Sequence, residues 1–278
     1  MRPRRVLVTG ADGFVAAALL PLLRRRFALV LGATRKTAEL SDPAQAARLV
    51  RRARPDLVFH LAGSRGADPG ALWRDNVAST LALGAALRRE VPGARFVLAG
   101  SSAVDAADTP YGRAKRAATH AALSFVPEGL DVRIGVLYNL CGPGTPESLA
   151  PGAWAAQIAR LERHGGGNLL HGNLAAERDF LDVRDAADAL LRLGTTPGLN
   201  GRYDVGSGRG VPMSKVLRCL LDATKSPVRP RRDPRRLRVA DTKTSVASPS
   251  HLARSTGWRP RIPLGRSLAD TLAWHRSR

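Results

Sequence analysis

Apolar and polar positions follow two rhythms along the first half of the chain. Residues 4–9, 28–31, 56–60, 94–99 and 131–137 form short runs that are apolar on both faces. Runs of this kind predict strands buried on both sides. Between them, residues 14–26, 43–53, 69–89 and 109–125 carry helical spacing, and the first of these closes on Arg24-Arg25-Arg26, cations suited to a helix C-terminus. Strands alternating with helices predict an α/β fold, a doubly wound parallel sheet covered on both faces. Beyond residue 140 the alternation loosens: Gly165-Gly166-Gly167, Gly206-Ser207-Gly208 and the Pro/Arg segment 227–238 read as loops between shorter helices. This half predicts a smaller C-terminal lobe, with Trp258 and Trp274 in its core, and no internal repeat is visible.

Composition narrows the classes. A chain of 278 residues with 44% apolar content can bury a sizeable core. No run approaches the roughly 18 uninterrupted apolar residues of a membrane span. The basic start, Met1 to Arg5, leads only to Val6-Leu7-Val8 before Thr9-Gly10, too short for a signal peptide's apolar segment. Cys141 and Cys219 allow neither a disulfide framework nor a cysteine metal cage, and the six histidines lack metal spacing. No metal and a cytoplasmic location are expected. Cys141 has no His or Asp partner in the sequence pattern, so a thiol nucleophile is not expected, and His60, ending a strand, reads as structural.

The formal charge is +21, from 44 basic and 23 acidic residues, and 39 of the basic residues are Arg. A nucleic-acid binder concentrates charge in a stripe or tail, whereas here the clusters at 24–26, 51–52 and 229–238 are short. Dispersed arginine better suits a small polyanionic ligand, because its fork matches phosphate oxygens.

Two motifs carry chemistry. Gly10-Ala11-Asp12-Gly13-Phe14-Val15-Ala16 follows the first strand and opens the first helix. Gly10 permits a tight turn, Gly13 lets the backbone approach a pyrophosphate at the helix N-terminus, and Ala16 is small enough for helix–strand packing. Tyr111 and Lys115 stand at i,i+4 and share a helix face. A lysine ammonium beside a phenol favours the phenolate, which could exchange a proton with a sugar oxygen. Ser101 and Ser102 follow the preceding strand and Gly100, supplying a hydroxyl to polarise the same carbonyl.

With these residues the chain resembles, nearly end to end, the extended short-chain dehydrogenase/reductase superfamily of NAD-dependent epimerases and dehydratases. Thr9 to Val15 is similar to its cofactor loop, His60-Leu61-Ala62-Gly63 to the turn beside the cofactor, and Asn76-Val-Ala-Ser-Thr80 to its Asn-containing helix. Tyr138 to Gly144, Gly172 to Asp185, Tyr203 to Arg209, Asp233 to Arg238 and Gly257 to Leu264 continue the match. The combination is most similar to reductases of GDP-4-keto-6-deoxy-D-mannose and the related GDP-mannose 4,6-dehydratases. The resemblance implies a Rossmann domain and a substrate-binding lobe, with Ser101, Tyr111 and Lys115 catalytic. Cofactor contacts would come from Gly10, Asp12, Gly13, Phe14, Val15, Arg35, Lys36, Glu39, Leu40, Leu61, Ala62, Gly63, Tyr111 and Lys115. Substrate contacts would come from Ser102, Asn139, Asn173, Leu174, Arg178, Arg209 and Arg238. Arg35-Lys36 after the second strand suit a 2′-phosphate, so NADP is expected, with NAD the alternative.

There are departures. Ser101 and Tyr111 are only ten positions apart, Asp105 replaces a tyrosine, Val136-Leu137 replace Arg-Pro, and Ala103 stands where the dehydratases carry an acid. The missing acid argues against dehydration. The expected register ends the strand at Gly100 and points Ser101, rather than Ser102, at the substrate. The resulting expectation is an NAD(P)H-dependent reductase of a 4-keto-6-deoxy nucleotide sugar, assembled as a homodimer. An epimerase that retains NAD, or a non-catalytic nucleotide- or nucleic-acid-binding relative, are the alternatives. Residues 1–139, with 181–206 returning to them, would form the dinucleotide domain, and 140–180 and 207–278 the lobe.

Overall fold

The computed structural model describes residues 4–105, 109–236 and 244–278. Its elements run β1 (Arg5–Thr9), α1 (Phe14–Arg26), β2 (Leu29–Ala33), α2 (Pro43–Ala53), β3 (Leu57–His60), α3 (Pro69–Leu72), α4 (Ser79–Glu90), β4 (Arg95–Ser101), α5 (Pro110–Leu123) and β5 (Asp131–Leu137). They continue β6 (Asn139–Cys141), α6 (Ala150–Arg163), β7 (Gly167–His171), β8 (Glu177–Asp182), α7 (Val183–Thr195), β9 (Gly201–Val205), β10 (Gly210–Pro212), α8 (Met213–Leu221), β11 (Val228–Arg232), β12 (Thr244–Ser245), α9 (Ser250–Thr256) and α10 (Leu264–Arg276). A π-helical turn, Trp73–Ala78, joins α3 to α4, so the long helix expected from residue 69 is continuous.

The chain divides into two compact units, the first comprising Met1–Leu137, Ala187–Val205 and Pro249–Trp258. Its six strands form a parallel sheet in the order β2-β1-β3-β4-β5-β9. The apolar runs are buried on both faces because helices flank the sheet; Leu7, Val8, Leu57, Val58 and Phe59 are almost wholly inaccessible. Three helices begin with a capping side chain followed by proline: Asp42-Pro43, Asp68-Pro69 and Thr109-Pro110. In each the side-chain oxygen accepts from the first turn while proline presets the helical φ. Helix α1 differs: its cap is Gly13, with no side-chain bond.

Two arginines finish α7. Arg133, buried in β5, donates to the carbonyls of Leu193 and Thr196, and Arg95, on β4, donates to that of Gly194. Both also bind the Asp131 carboxylate, so the helix's terminal carbonyls are satisfied from the sheet.

The second unit comprises Tyr138–Ala186, Gly206–Ser248 and Arg259–Arg278. Strand β8 pairs antiparallel with β10 and parallel with β12 and β6. Helices α6, α8 and α10 supply a core that includes Trp154, Ile158, Phe180, Leu220 and Leu272. Two expectations are corrected here. The segment read as a Pro/Arg loop contains β11, paired in parallel with β7; its arginines are exposed, so an edge strand carries no apolar signature. Trp258 is fully buried but belongs to the first unit rather than the lobe.

Candidate active site

The sheet's winding reverses between β1 and β3: the chain leaves β1 toward β2 on one side, and β3 lies on the other. A crevice at such a switch point is where open α/β sheets bind ligands. Gly10 ends β1 with φ +66, and a Cβ added there would lie 2.7 Å from the Ala62 backbone nitrogen. The turn therefore packs directly on residues 61–62, which only glycine permits. Gly13 N–H donates to Gly10 O at 3.0 Å and closes the turn, and Ala11 N–H bonds Ala33 O at the end of β2. Asp12 and Gly13 are exposed, while Phe14 and Val15 are half-buried at the open N-terminus of α1.

A chain of hydrogen bonds sets the neighbouring turn. Thr80 Oγ1 donates to Asn76 O at 2.6 Å, so His60 Nε2 is the donor to Thr80 at 3.2 Å. His60 Nδ1 then accepts from Thr9 Oγ1 at 2.7 Å, and Thr9 accepts in turn from Ala62 N–H. Burial, with Lys115 adding to it, pushes the His60 imidazole down to about 3, so it is neutral. Asn76 Nδ2 donates to Ser64 O and Leu72 O, and its Oδ1 lies against Gly63 where a side chain would otherwise sit. Leu61, Ala62 and Gly63 are thus held beside Gly10.

After β2, Arg35 does not stand free. It donates to Asp75 at 2.9 Å and approaches Glu39 at 3.8 Å, and Asp75 also holds Arg74. Lys36 is exposed, with no partner among the described residues. The Glu39 carboxylate accepts from the Ser41 hydroxyl, and Leu40 is buried beside it.

Strand β4 runs further than expected. Gly100 and Ser101 pair with Val136 and Leu137, so the strand ends at Ser101, one residue beyond the expected Gly100. Ser101 Oγ accepts from Ala103 N–H at 3.2 Å, starting a 3₁₀ turn over 102–104; this fixes the oxygen and leaves its hydrogen to donate. Ser102 is half-buried in that turn. On α5, Lys115 Nζ donates to Ala99 O at 2.8 Å. Burial lowers the Lys115 ammonium, Tyr111 raises it and Arg65 lowers it, so three groups share one field. The Arg65 guanidinium sits over the Tyr111 ring, 5.0 Å from its centroid. Sequence reading missed Arg65, Asp75 and the Thr9–His60–Thr80 chain: only folding brings their loops and helix together.

In the second unit, Asn139 Nδ2 donates to Asp179 O at 3.1 Å. Asp179 is fully buried and its carboxylate accepts from Ser207 N and Oγ, Gly208 N and Ala247 N, which closes the Gly206–Gly208 loop and presents Arg209 to solvent. Arg178, next to it on β8, donates to Glu177 O. Asn173 caps Ala175 N–H on an exposed turn, and Leu174 packs on the unit's core. Arg238 lies outside the described residues. Cys141 donates or accepts with Ser267 at 3.1 Å, and burial pushes its thiol up to about 12, unsuited to nucleophilic attack at neutral pH. Among the described residues no cluster of His, Cys, Asp or Glu could hold a metal, and no helix is long and apolar enough to cross a membrane.

A parallel sheet opening over a glycine turn, with Tyr111 and Lys115 one helical turn apart behind β4, defines a dinucleotide-binding α/β protein of the short-chain dehydrogenase type. The chain belongs to the NAD dependent epimerase/dehydratase family, whose model matches residues 6–206. It is 30% identical to the GDP-6-deoxy-D-mannose reductase of Pseudomonas aeruginosa, over 99% of this chain and 98% of the other. It is 28% identical to the dTDP-6-deoxy-L-talose 4-dehydrogenase (NAD(P)(+)) of Kitasatospora kifunensis, over 81% and 80%. Among solved structures, RMD from Pseudomonas aeruginosa complexed with NADPH superposes with a TM-score of 0.86 at 27% identity, covering 98% of this chain and 99% of that one.

Proposed function

We propose that the chain is an NADPH-dependent reductase of a 4-keto-6-deoxy nucleotide sugar, GDP-linked. The observation that carries it is the turn at the end of β4. Ser101 keeps a hydrogen to donate, and the position two residues later is Ala103, which offers no carboxyl group for eliminating water. That pairing suits carbonyl polarisation without dehydration, and the full-length similarity to a GDP-6-deoxy-D-mannose reductase supports the sugar class.

The residues present fit a dinucleotide: Gly10 lets the turn pack on Ala62, and Gly13 caps α1 without a side chain, so the first-turn N–H groups are open to a pyrophosphate. Residues 33–38 contain no acid, which suits a 2′-phosphate, and Lys36 is the cation open to take it while Arg35 is steadied by Asp75. NADPH, when bound, supplies the hydride for carbon 4 of the sugar. In this reading Ser101 donates to the C4 oxygen, Tyr111 gives its phenolic proton to the oxygen as it gains charge, and Lys115 steadies the phenolate left behind. Asn139, Asn173, Leu174, Arg178 and Arg209 are proposed to hold the nucleotide diphosphate, the arginines by charge-assisted bonds. Purified protein offered a panel of 4-keto nucleotide sugars tests this by NADPH absorbance. Stoichiometric consumption supports a reductase. Interconversion of sugars without net consumption, on a cofactor that stays bound, would make the chain an epimerase.

A further inference from the structure

The first unit contains a cavity under α2, next to the glycine turn: one of its lining residues, Gly32, packs against Ala11. Its volume is about 410 Å³, and Leu7, Leu31, Leu49, Ala38 and Ala53 form its apolar walls. It exists because of topology. The chain leaves β2, passes β1 and returns at β3, so α2 crosses away from the edge strand. The face of β2 beside it is left uncovered, which is why Leu29 is 38% exposed and Leu31 only half-buried.

Arg48 and Arg52, one turn apart on α2, line the same cavity. Both are exposed and neither forms an ion pair among the described residues; the Asp42 carboxylate, at the N-cap of the same helix, feels the charge of Arg48 without pairing with it. The next arginine along, Arg51, does pair, with Glu90. Like charges at this spacing repel, and an anion between them removes the repulsion. The polar lining is already engaged: Gln45 accepts from Glu39 N–H and donates to Asp42, and Thr37 accepts from Thr34 N–H. What the cavity lacks is an apolar filling with one negative group at its mouth. Its volume falls in the range of roughly 300–1,000 Å³ usual for small-molecule sites.

We propose that this cavity is a second ligand site, distinct from the dinucleotide crevice, which takes a small amphipathic anion with an apolar body and one oxyanion head group. The body lies against Leu31 and Leu49, and the head group bridges the guanidinium forks of Arg48 and Arg52. No residue of the Gly10–Gly13 turn or of the Leu61–Gly63 turn lines it.

The probe is 8-anilinonaphthalene-1-sulfonate, titrated by fluorescence into the whole protein with saturating NADP⁺ present, so that the crevice is filled. One saturable site per chain is expected. R48Q/R52Q should weaken binding by about tenfold or more, the loss of one or two charge-assisted contacts. L49W, which narrows the cavity beside the apolar wall, should weaken it further, with circular dichroism confirming that each variant is folded. The arginine pair is on the surface and decides the matter even if L49W does not fold. Absence of saturable binding, or binding unchanged in R48Q/R52Q, overturns the proposal.

Discussion

Thr9 Oγ1 and His60 Nδ1 lie 2.7 Å apart, and this buried bond ties the carboxyl end of β1 to that of β3, where the glycine turn begins. It requires a neutral imidazole whose Nδ1 accepts. With a folded pKa of about 3 against 6.5 for an ordinary histidine, the unfolded chain binds a proton that the folded chain does not, between those two values. The stability this group contributes is full above pH 6.5 and falls as pH drops, by roughly 1.4 kcal/mol per pH unit for one proton. Urea unfolding between pH 7 and pH 4.5 should show that slope, and H60Q should flatten it whatever its stability at pH 7. A wild-type slope unchanged by H60Q would mean that other groups carry the acid sensitivity.

Gly10 is expected to tolerate no side chain. G10A places a methyl group 2.7 Å from Ala62 N at φ +66, so the turn must open. A loss of about tenfold or more in NADPH affinity, measured by calorimetry, should accompany a stability cost of about 1–3 kcal/mol. Unchanged affinity would remove the turn from the cofactor site.

Ser101 and Ser102 are separable. Ser101 is fixed by Ala103 N–H with its hydrogen available, so S101A should lower kcat by about 10²-fold, the scale of one polarising donor lost. S102A should cost far less. Y111F should lower kcat by roughly 10²–10⁴-fold with little change in NADPH affinity. Equal losses at the two serines would refute the register.

Asp179 accepts four hydrogen bonds in a fully buried position. Its asparagine variant offers one oxygen and turns an amide NH₂ toward backbone N–H groups. D179N should cost about 2–4 kcal/mol in urea unfolding, because buried donors lose a charged partner. If Arg209 serves substrate binding, the loosened Ser207–Arg209 loop should raise the sugar KM more than it lowers kcat. An unaltered KM would separate this loop from the substrate.

Much of this was legible in the sequence where local pattern and tertiary role coincide. The β1 and β5 runs read as strands because both faces are buried, and Gly10–Gly13 read as a phosphate turn because strand, glycine and helix are contiguous. Strand β11 was not legible, since Val228-Arg-Pro-Arg-Arg232 is held by ladder bonds to β7 rather than by burial. The end of β4 was misjudged because Gly100 reads as a breaker, yet it pairs with Val136. Arg65 and Asp75 act through groups distant in sequence, Tyr111 and Arg35, which no spacing rule reaches.

The central claim is net hydride delivery to carbon 4 of a nucleotide sugar. It is tested most directly with NADPH carrying deuterium at the transferable position of the nicotinamide and a GDP-linked 4-keto-6-deoxy sugar as acceptor. Mass spectrometry and proton NMR of the product should find one deuterium, at C4, per NADPH consumed, and Y111F should slow its appearance at least a hundredfold, about the span of a lost general acid. A sugar product without deuterium, or oxidation of NADPH that leaves the keto sugar intact, would contradict the account.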